Sequence, residues 1–186
     1  MEQFGRSPIR MTAVELARVS YPDKVAELVR GRLVVREPPG TRHGAIASRL
    51  VYYLTDFVYR HRLGVVFAQD TGFQIESNPD TVRAPDAAFL ARERAGAIED
   101  RGYARVAPDL VAEILSPDDR PAEVRAKIAD WISAGVKIVW VIDPRRRIAH
   151  VYRRDGSVVP DRAILAGEDV LPGFSCAVED LLADHV

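Results

Sequence analysis

The spacing of apolar residues predicts two amphipathic helices in the middle of the chain. The first runs from His43 to about Arg60, and its apolar residues recur every three or four positions, which places them on one buried face. These residues are Ile46, Leu50, Tyr53, Leu54 and Phe57. The second helix begins near Pro121, a residue suited to the first helical turn, and runs to about Ala134, where Gly135 ends it.

Short runs rich in Val, Ile and aromatic residues predict strands around these helices. Residues 24–29 and 32–35 flank Gly31 and are typical of a β-hairpin that turns at the glycine. The nearly continuous apolar run 109–115 is typical of a strand buried on both faces of a sheet, and 137–143 is the next core strand. Further strands are expected at 65–68, 72–75, 84–90 and 147–153.

Two short helices are expected near the ends of this pattern. Thr12 and Glu15 fit a capping box, which predicts a helix through about Val19. After a turn-rich segment, Ser175 is expected to cap a last helix through Leu182.

The order of these elements predicts the fold class and the domain organisation. Helix, hairpin, long helix, several strands, helix and strands describe an α/β or α+β fold with a mixed β-sheet core flanked by helices. The length of 186 residues suits one domain. We expect residues 1–10 to form a flexible polar lead-in and residues 11–186 to form that single domain.

Composition narrows the class of protein. Apolar residues make up 47% of the chain and charged residues 28%, as in soluble globular proteins. No apolar run approaches the roughly 18 residues that span a bilayer, and residues 1–8 lack the apolar core of a signal peptide, so a cytoplasmic protein without membrane contact is expected. The single cysteine, Cys176, excludes an internal disulfide and a cysteine-cluster metal site. The net charge of −1 implies no attraction of the whole molecule for nucleic acid, although a local basic surface can coexist with an acidic pocket.

Two carboxylates are conspicuous because they interrupt apolar segments. Asp86 precedes a short apolar run, and Glu113 lies inside the predicted strand 109–115. A buried carboxylate needs a partner or a metal ion, and two of them on adjacent strands offer the oxygen ligands that a hard divalent cation binds. The alternative is that both residues cap turns or pair with arginines, which supply nearly all of the positive charge.

Lys127 is one of three lysines in the chain and stands in an unusual place. At about 100° per residue, it lies on the inward face of the second helix, between Val124 and Trp131. A lysine at such a position either snorkels out to solvent or meets buried carboxylates. Because the helix follows the Glu113 strand after a short turn, the ammonium group is within reach of the same pocket.

Two further polar residues leave alternatives open. His43 begins the first helix on its apolar side, where a histidine is either a satisfied core or capping residue or a member of a site. Glu27 lies between Ala26 and Leu28 in the hairpin, and it either faces solvent without a role or joins the site.

Arginines cluster beside the strand predicted at 147–153. Arg145 and Arg146 precede it, and Arg147 is its first residue. Arginines at strand ends are ordinarily solvated surface groups that oppose aggregation. The alternative is that these three position the backbone phosphates of a nucleic acid.

A series of short motifs runs through most of the chain, from about Met11 to Leu182. In order they are 27–34, His43, 71–73, Pro85-Asp86, 108–117, Lys127, Gly135-Val136 and 139–144. This series resembles the Uma-type family of restriction-endonuclease-like proteins, within the PD-(D/E)xK nuclease superfamily. The segments Glu-Ile-Leu-Ser-Pro at 113–117 and Trp-Val-Ile-Asp-Pro at 140–144 make the resemblance specific.

The resemblance implies a metal site built on the sheet. Asp86 matches the first acidic position of the superfamily and Glu113 the second, so these two residues would hold Mg²⁺ or Mn²⁺. The sequence departs from the superfamily pattern two positions after Glu113, where Leu115 stands in place of a lysine. In families of this kind the lysine can migrate to the following helix, where Lys127 stands.

The resemblance also implies a function. Glu27 and His43 match further polar positions of the family pattern and would be additional site residues. The implied activity is that of an Mg²⁺-dependent endonuclease with DNA as its substrate, and a homodimer would present two active sites to two strands. The alternative is a catalytically degenerate protein of this fold that acts as a DNA-binding or protein-interaction module. A nuclease acting on RNA or branched DNA is a third possibility.

Overall fold

The structure is a computed structural model that describes residues 10–161 and 163–183. The helices in these residues are α1 (Ala13–Leu16), α2 (Thr41–His61), α3 (Pro121–Ser133) and α4 (Val178–Leu182). The strands are β1 (Val25–Val29), β2 (Arg32–Arg36), β3 (Gly64–Ala68), β4 (Phe73–Glu76), β5 (Thr81–Arg83), β6 (Ala87–Ala91), β7 (Leu110–Ile114), β8 (Ile138–Asp143), β9 (Ile148–Arg153), β10 (Val158–Asp161), β11 (Ile164–Ala166) and β12 (Ser175–Ala177). A 3-10 helix, Arg92–Ala97, follows β6.

The largest sheet of the described residues is mixed, which confirms the expected fold class. Its strand order is β10-β9-β8-β7-β6-β3, and β7 and β8 are parallel while the other neighbours are antiparallel. Parallel neighbours need a crossover connection, and α3 supplies it. Both β7 and β8 are buried along their whole length, as their apolar sequences predict.

Alternate residues of β7 divide between the two faces of this sheet. Leu110, Ala112 and Ile114 belong to the apolar cluster that α2 covers, whereas Val111 belongs to the cluster beneath α3. Because side chains alternate along a strand, Glu113 shares the face of Val111 and points towards α3. The strand period therefore decides which helix can reach this carboxylate.

A second sheet lies beside the first and carries two charged residues of interest. Its strand order is β2-β1-β5-β4. Leu28 of β1 and Val82 of β5 pack against Ala13 and Leu16 of α1 in a small apolar cluster. Neighbouring residues of β1 and β5 lie on the opposite face of this sheet, which is turned towards α3 and the large sheet.

The predicted capping box and hairpin are confirmed. The Glu15 amide donates to Thr12 Oγ1 at 3.2 Å, and the Thr12 amide donates to Glu15 Oε2 at 2.7 Å. The helix ends at Leu16, earlier than expected. Between β1 and β2 the chain reverses through Arg30 and Gly31, which both have positive φ, at 50° and 76°.

Two sequence expectations are corrected. The strand predicted at 84–90 begins only at Ala87, because Pro85 has no N–H with which to extend the ladder, so Asp86 lies just before the strand. Ser175 does not cap the last helix. It lies in β12 opposite Ala166, where the strand buries Cys176, and the helix cap is Ala177 without a side-chain bond.

Two other segments differ from expectation or fall outside it. The segment predicted as turn-rich contains β10 and β11, and β5 lies where no strand is predicted. The predicted lead-in, residues 1–10, lies outside the described residues except for Arg10. In the described part of the chain, no helix combines the length and the apolar character that crossing a membrane requires.

Candidate active site

The ammonium group of Lys127 lies at the centre of a group of buried carboxylates. Its Nζ atom donates to Glu113 Oε2 at 2.9 Å and to the Ala84 carbonyl oxygen at 2.9 Å, and it lies 3.4 Å from Glu27 Oε1. Only 15% of the side chain is exposed. Of the two fates open to an inward lysine, the structure therefore shows the one in which it meets carboxylates.

The helix that carries Lys127 explains this position. Ile128 and Trp131 of α3 are buried against the face of the sheet that also carries Val111 and Val139. Lys127 is next to Ile128 and one helical turn before Trp131, so its long side chain leaves the helix over Glu113. Burial alone would lower the pKa of the lysine, but the facing carboxylates, Glu113 above all, raise it above its ordinary value. The group is therefore charged at neutral pH.

Both oxygens of Glu113 accept hydrogen bonds from α3. Oε1 accepts from the Trp131 indole Nε1 at 2.8 Å, and Oε2 accepts from Lys127. Burial raises the pKa of Glu113 to about 7, against an ordinary value of 4.5, because one ammonium group does not offset the loss of water and the nearby charges of Asp86 and Glu27. Glu113 is consequently poised to exchange a proton, or to accept a further cation, near neutral pH.

Asp86 is tied to the end of β7 beside Glu113. Its Oδ2 accepts from the Ile114 amide at 2.6 Å and lies 3.2 Å from His43 Nε2. Its Oδ1 accepts one long bond, 3.5 Å, from Gln69 Nε2. The Asp86 side chain is 18% exposed, more than that of Glu113 at 11%, so Asp86 lies at the open side of the pocket.

His43 is held against Asp86 by Gln69. The Gln69 amide nitrogen lies 3.1 Å from His43 Nδ1, while the other ring nitrogen faces Asp86. Burial lowers the pKa of His43, but the hydrogen bond and the charge of Asp86 outweigh it and hold the pKa above its ordinary value. The start of α2 is thereby fastened to the loop that precedes β6.

Glu27 is bound on both oxygens and belongs to a ring of ion pairs that the backbone of α3 closes. Oε1 accepts from the Ala84 amide at 2.8 Å, and Oε2 accepts from Arg83 Nη1 at 2.9 Å. Burial would raise the pKa of Glu27, but the charges of Lys127 and Arg83 hold it below its ordinary value. Arg83 also donates through Nη2 to Asp130 Oδ2 at 2.6 Å, and Asp130 is three residues from Lys127 on α3.

This ring joins the smaller sheet to the helix that crosses the larger one. Glu27 lies on β1, Arg83 on β5, and both Lys127 and Asp130 on α3. The side chains of Glu27 and Arg83 are only 3% and 4% exposed, so their charges depend on each other and not on water. The position of the Lys127 ammonium is therefore fixed from two directions.

The structure brings together five of the residues singled out in the sequence: Glu27, His43, Asp86, Glu113 and Lys127. Arg145, Arg146 and Arg147 lie instead in the turn after β8, where all three are exposed. In the described part of the chain, Arg146 pairs with Asp143 at 3.0 Å and Arg147 with Glu179 at 3.7 Å.

Four contacting residues were not identified as site candidates from the sequence: Gln69, Arg83, Asp130 and Trp131. Asp130 had a usable signal, because three residues after an inward lysine a helix presents the same side. The signal for Arg83 was weaker: it lies two residues after Thr81 and two before Pro85, so it shares one face of a short strand with Thr81. Gln69 follows a strand end and had none.

The donor chemistry of the pocket fits a hard divalent cation, although no complete cage is formed. No group of three or more His, Cys, Asp or Glu side chains among the described residues is arranged to hold a metal ion. Asp86 Oδ1 nevertheless has only its long bond from Gln69, and the charge of Asp86 contributes to the raised pKa of Glu113. Two carboxylates that repel each other suit Mg²⁺ or Mn²⁺, which commonly complete their shells with water and substrate phosphate.

A family model matches the sequence, and a solved structure matches the fold. A family model described as "Uma2: Putative restriction endonuclease" matches residues 12–179. The crystal structure of a "putative nuclease belonging to DUF820" from Anabaena variabilis ATCC 29413 is similar to this chain, with a TM-score of 0.79 and 23% identity, over 92% of this chain and 97% of that one. This second similarity shows a common fold. No curated protein matches the chain.

We predict that Arg83→Met destabilises the protein by about 3–5 kcal/mol, because it leaves Glu27 and Asp130 buried without their shared cation. Arg30→Met is the matched control. Arg30 also approaches Asp130, at 3.4 Å, but its side chain is 63% exposed, so we expect a change within about 0.5 kcal/mol. Urea unfolding at neutral pH measures both. Equal losses in the two variants would contradict the account of the ring.

We predict that Glu113 makes stability depend on pH in metal-free buffer. The pKa of Glu113 is about 7 when folded and 4.5 in its ordinary state, so the unfolded chain loses this proton first as the pH rises. The contribution of Glu113 to stability is thus fully present below about pH 4.5 and is lost as the pH passes about 7.

Glu113→Gln cannot titrate at this position. As the pH rises from about 4.5 to about 8, the free energy of unfolding of the variant should increase relative to that of the wild type by on the order of 3 kcal/mol. This follows from the linkage between pKa and folding. Urea unfolding with a chelator present, repeated across this range, measures the difference. A difference between the two proteins that does not vary with pH would show that Glu113 titrates normally.

Proposed function

The chain belongs to the Uma2 family, described as putative restriction endonucleases, and from that premise we propose that it is a metal-dependent endonuclease that hydrolyses phosphodiester bonds in DNA. The observation that carries the proposal is the contact of the buried Lys127 ammonium with Glu113, beside Asp86 at the open side of the pocket. Two carboxylates and one fixed cation are a set that phosphodiester hydrolysis uses.

Asp86 and Glu113 would hold one or two Mg²⁺ or Mn²⁺ ions through their carboxylate oxygens. A bound ion of this kind lowers the pKa of a coordinated water and stabilises the negative charge that develops on the phosphate. Asp86 is pre-positioned for the task, because the Ile114 amide and His43 fix its Oδ2 while its Oδ1 keeps only the long bond from Gln69.

Lys127 supplies positive charge and a hydrogen-bond donor. Its raised pKa keeps it protonated at neutral pH, so it does not act as a general base. From its position against Glu113, it would orient the attacking water or stabilise the pentacovalent transition state.

Glu27 and His43 act through the residues they hold. Both Glu27 oxygens already accept bonds from Ala84 and Arg83, so Glu27 positions Lys127 and is not the first choice as a metal ligand. His43 positions Asp86 in the same sense, with Gln69 behind it.

The exposed arginines suit a role in holding the nucleic acid. β7 and β8 are parallel, so the turn with Arg145, Arg146 and Arg147 lies at the same edge of the sheet at which the strand of Glu113 ends. Phosphate contacts from such arginines would orient DNA without reading its sequence. A homodimer, a cytoplasmic location and a single domain over 11–186 remain predictions.

A catalytically degenerate DNA-binding module is the second candidate, and one observation favours it. Both Glu113 oxygens are already bound by Trp131 and Lys127, so a metal ion would have to share them. The two candidates differ in whether bound DNA is cut.

We predict that Asp86→Asn, Glu113→Gln and Lys127→Met each reduce Mg²⁺- or Mn²⁺-dependent cleavage at least about 100-fold, because each removes a charge that faces the reacting phosphate. Asp155→Asn is the control, since Asp155 is an exposed residue whose carboxylate accepts from the amide of Ser157, so the variant should leave cleavage unchanged. The assay uses supercoiled plasmid and linear DNA, with circular dichroism to confirm that each variant is folded.

The outcomes separate the candidates. If a variant is folded and retains full activity, the residue that it replaces does not have the role proposed for it. A wild type that binds DNA with a steep salt dependence but never cuts it, with either metal ion, would establish the degenerate binding module instead.

A further inference from the structure

A cavity of about 370 Å³ opens next to the carboxylate pocket. Its walls combine aromatic, charged and small residues, among them Tyr21, Lys24, Asp70, Gly72, Ala84 and Tyr103. This volume is within the usual range for sites that bind small organic groups. None of the roles proposed for Asp86, Glu113 and Lys127 involves this cavity.

The cavity shares its wall with the proposed active site. The carbonyl oxygen of Ala84, which lines the cavity, accepts a bond from Lys127. Asp70 directly follows Gln69, the residue that contacts Asp86, and the lining residue Ala26 directly precedes Glu27. The Ala84 backbone alone therefore lies between the Lys127 ammonium group and the cavity.

Tyr103, on the aromatic wall of the cavity, is closely packed. A Cβ atom on Gly72 would lie 2.6 Å from two ring carbons of Tyr103, which means that the ring packs directly on the Gly72 backbone. Tyr21 and Tyr103 both pack against the apolar cluster of α1 and are half-buried. A ring that is already packed in this way loses little side-chain entropy when a flat group binds against it.

The rim of the cavity carries a cation that an anion can recruit. Lys24 pairs with Glu37, whose side chain is 79% exposed. A surface pair of this kind contributes little free energy, so a phosphate group can replace Glu37 as the partner of the lysine.

We propose that this cavity is a subsite for the nucleobase next to the scissile phosphate, stacked on Tyr21 and Tyr103, with Lys24 on an adjoining phosphate. Stacking on aromatic rings accepts any base, because every base has a π-face. A base paired inside a duplex cannot enter such a cavity unless it is extruded. The preferred substrate class is therefore DNA with an unpaired nucleotide beside the cleaved bond, as in single-stranded or branched DNA. The inference rests on the proposed function.

The test combines variants with an altered substrate. Tyr21→Leu and Tyr103→Leu keep apolar bulk but remove the rings, and Tyr59→Leu, 83% exposed on α2, is the control. On a single-stranded oligonucleotide, each cavity variant should raise KM about 10-fold and leave kcat nearly unchanged, whereas the control should behave as wild type.

An abasic scan distinguishes stacking from a structural role of the tyrosines. Moving one abasic site along the oligonucleotide should raise the wild-type KM about 10-fold at one position next to the cut, and the same position should have no further effect in the tyrosine variants. Additive effects of the variant and the abasic site would overturn the subsite. So would equal preference of the wild type for fully paired and unpaired DNA.

A binding measurement separates failure of the subsite from failure of the proposed function. Deoxyadenosine monophosphate, titrated into the full protein and followed by NMR, should shift the amide signals of Gly72 and Tyr103 and should do so less in Lys24→Ala. Normal cleavage together with no nucleotide binding at this cavity overturns the subsite alone. Nucleotide binding at the cavity without any cleavage of DNA overturns the proposed endonuclease, and with it the place of the subsite beside a cleaved bond.

Discussion

The buried ammonium group of Lys127 is the constraint on which the site depends. An ammonium group removed from water must find negative partners, and here it finds Glu113, the Ala84 carbonyl oxygen and Glu27. Each partner comes from a different part of the fold. Satisfying one lysine therefore fixes the relative position of α3, the large sheet and the smaller sheet.

The same constraint leaves the pocket with unbalanced charge. Glu113, Glu27 and Asp86 share the field of Lys127, and the pKa of Glu113 stays raised in spite of it. Arg83 relieves Glu27 but is itself shared with Asp130. What remains is a pair of carboxylates, the buried Glu113 and Asp86 at the open side of the pocket. Such a pair is stable as a protonated acid or with an added cation, and this is the physical link between the fold and the proposed metal-dependent chemistry.

Those features that follow from local patterns could be predicted from the sequence. The inward stripe of α3 identified Lys127, and the apolar surroundings of Glu113 identified a buried carboxylate. The ring through Arg83 could not be predicted, because its members are 56 and 47 residues apart and long-range ion pairs leave no periodic signal. Ser175 shows the opposite error: a residue type typical of helix caps is overruled by strand pairing with Ala166.

The measurement that tests the central claim most directly is calorimetric titration of Mn²⁺ into the wild type and into Asp86→Ala and Glu113→Ala. It is made with and without a DNA oligonucleotide whose phosphorothioate linkages resist cleavage. We expect the wild type to bind Mn²⁺, at least when DNA is present, and each variant to lose that binding. Binding that persists in both variants, or a wild type that takes up no metal ion in either condition, would contradict it.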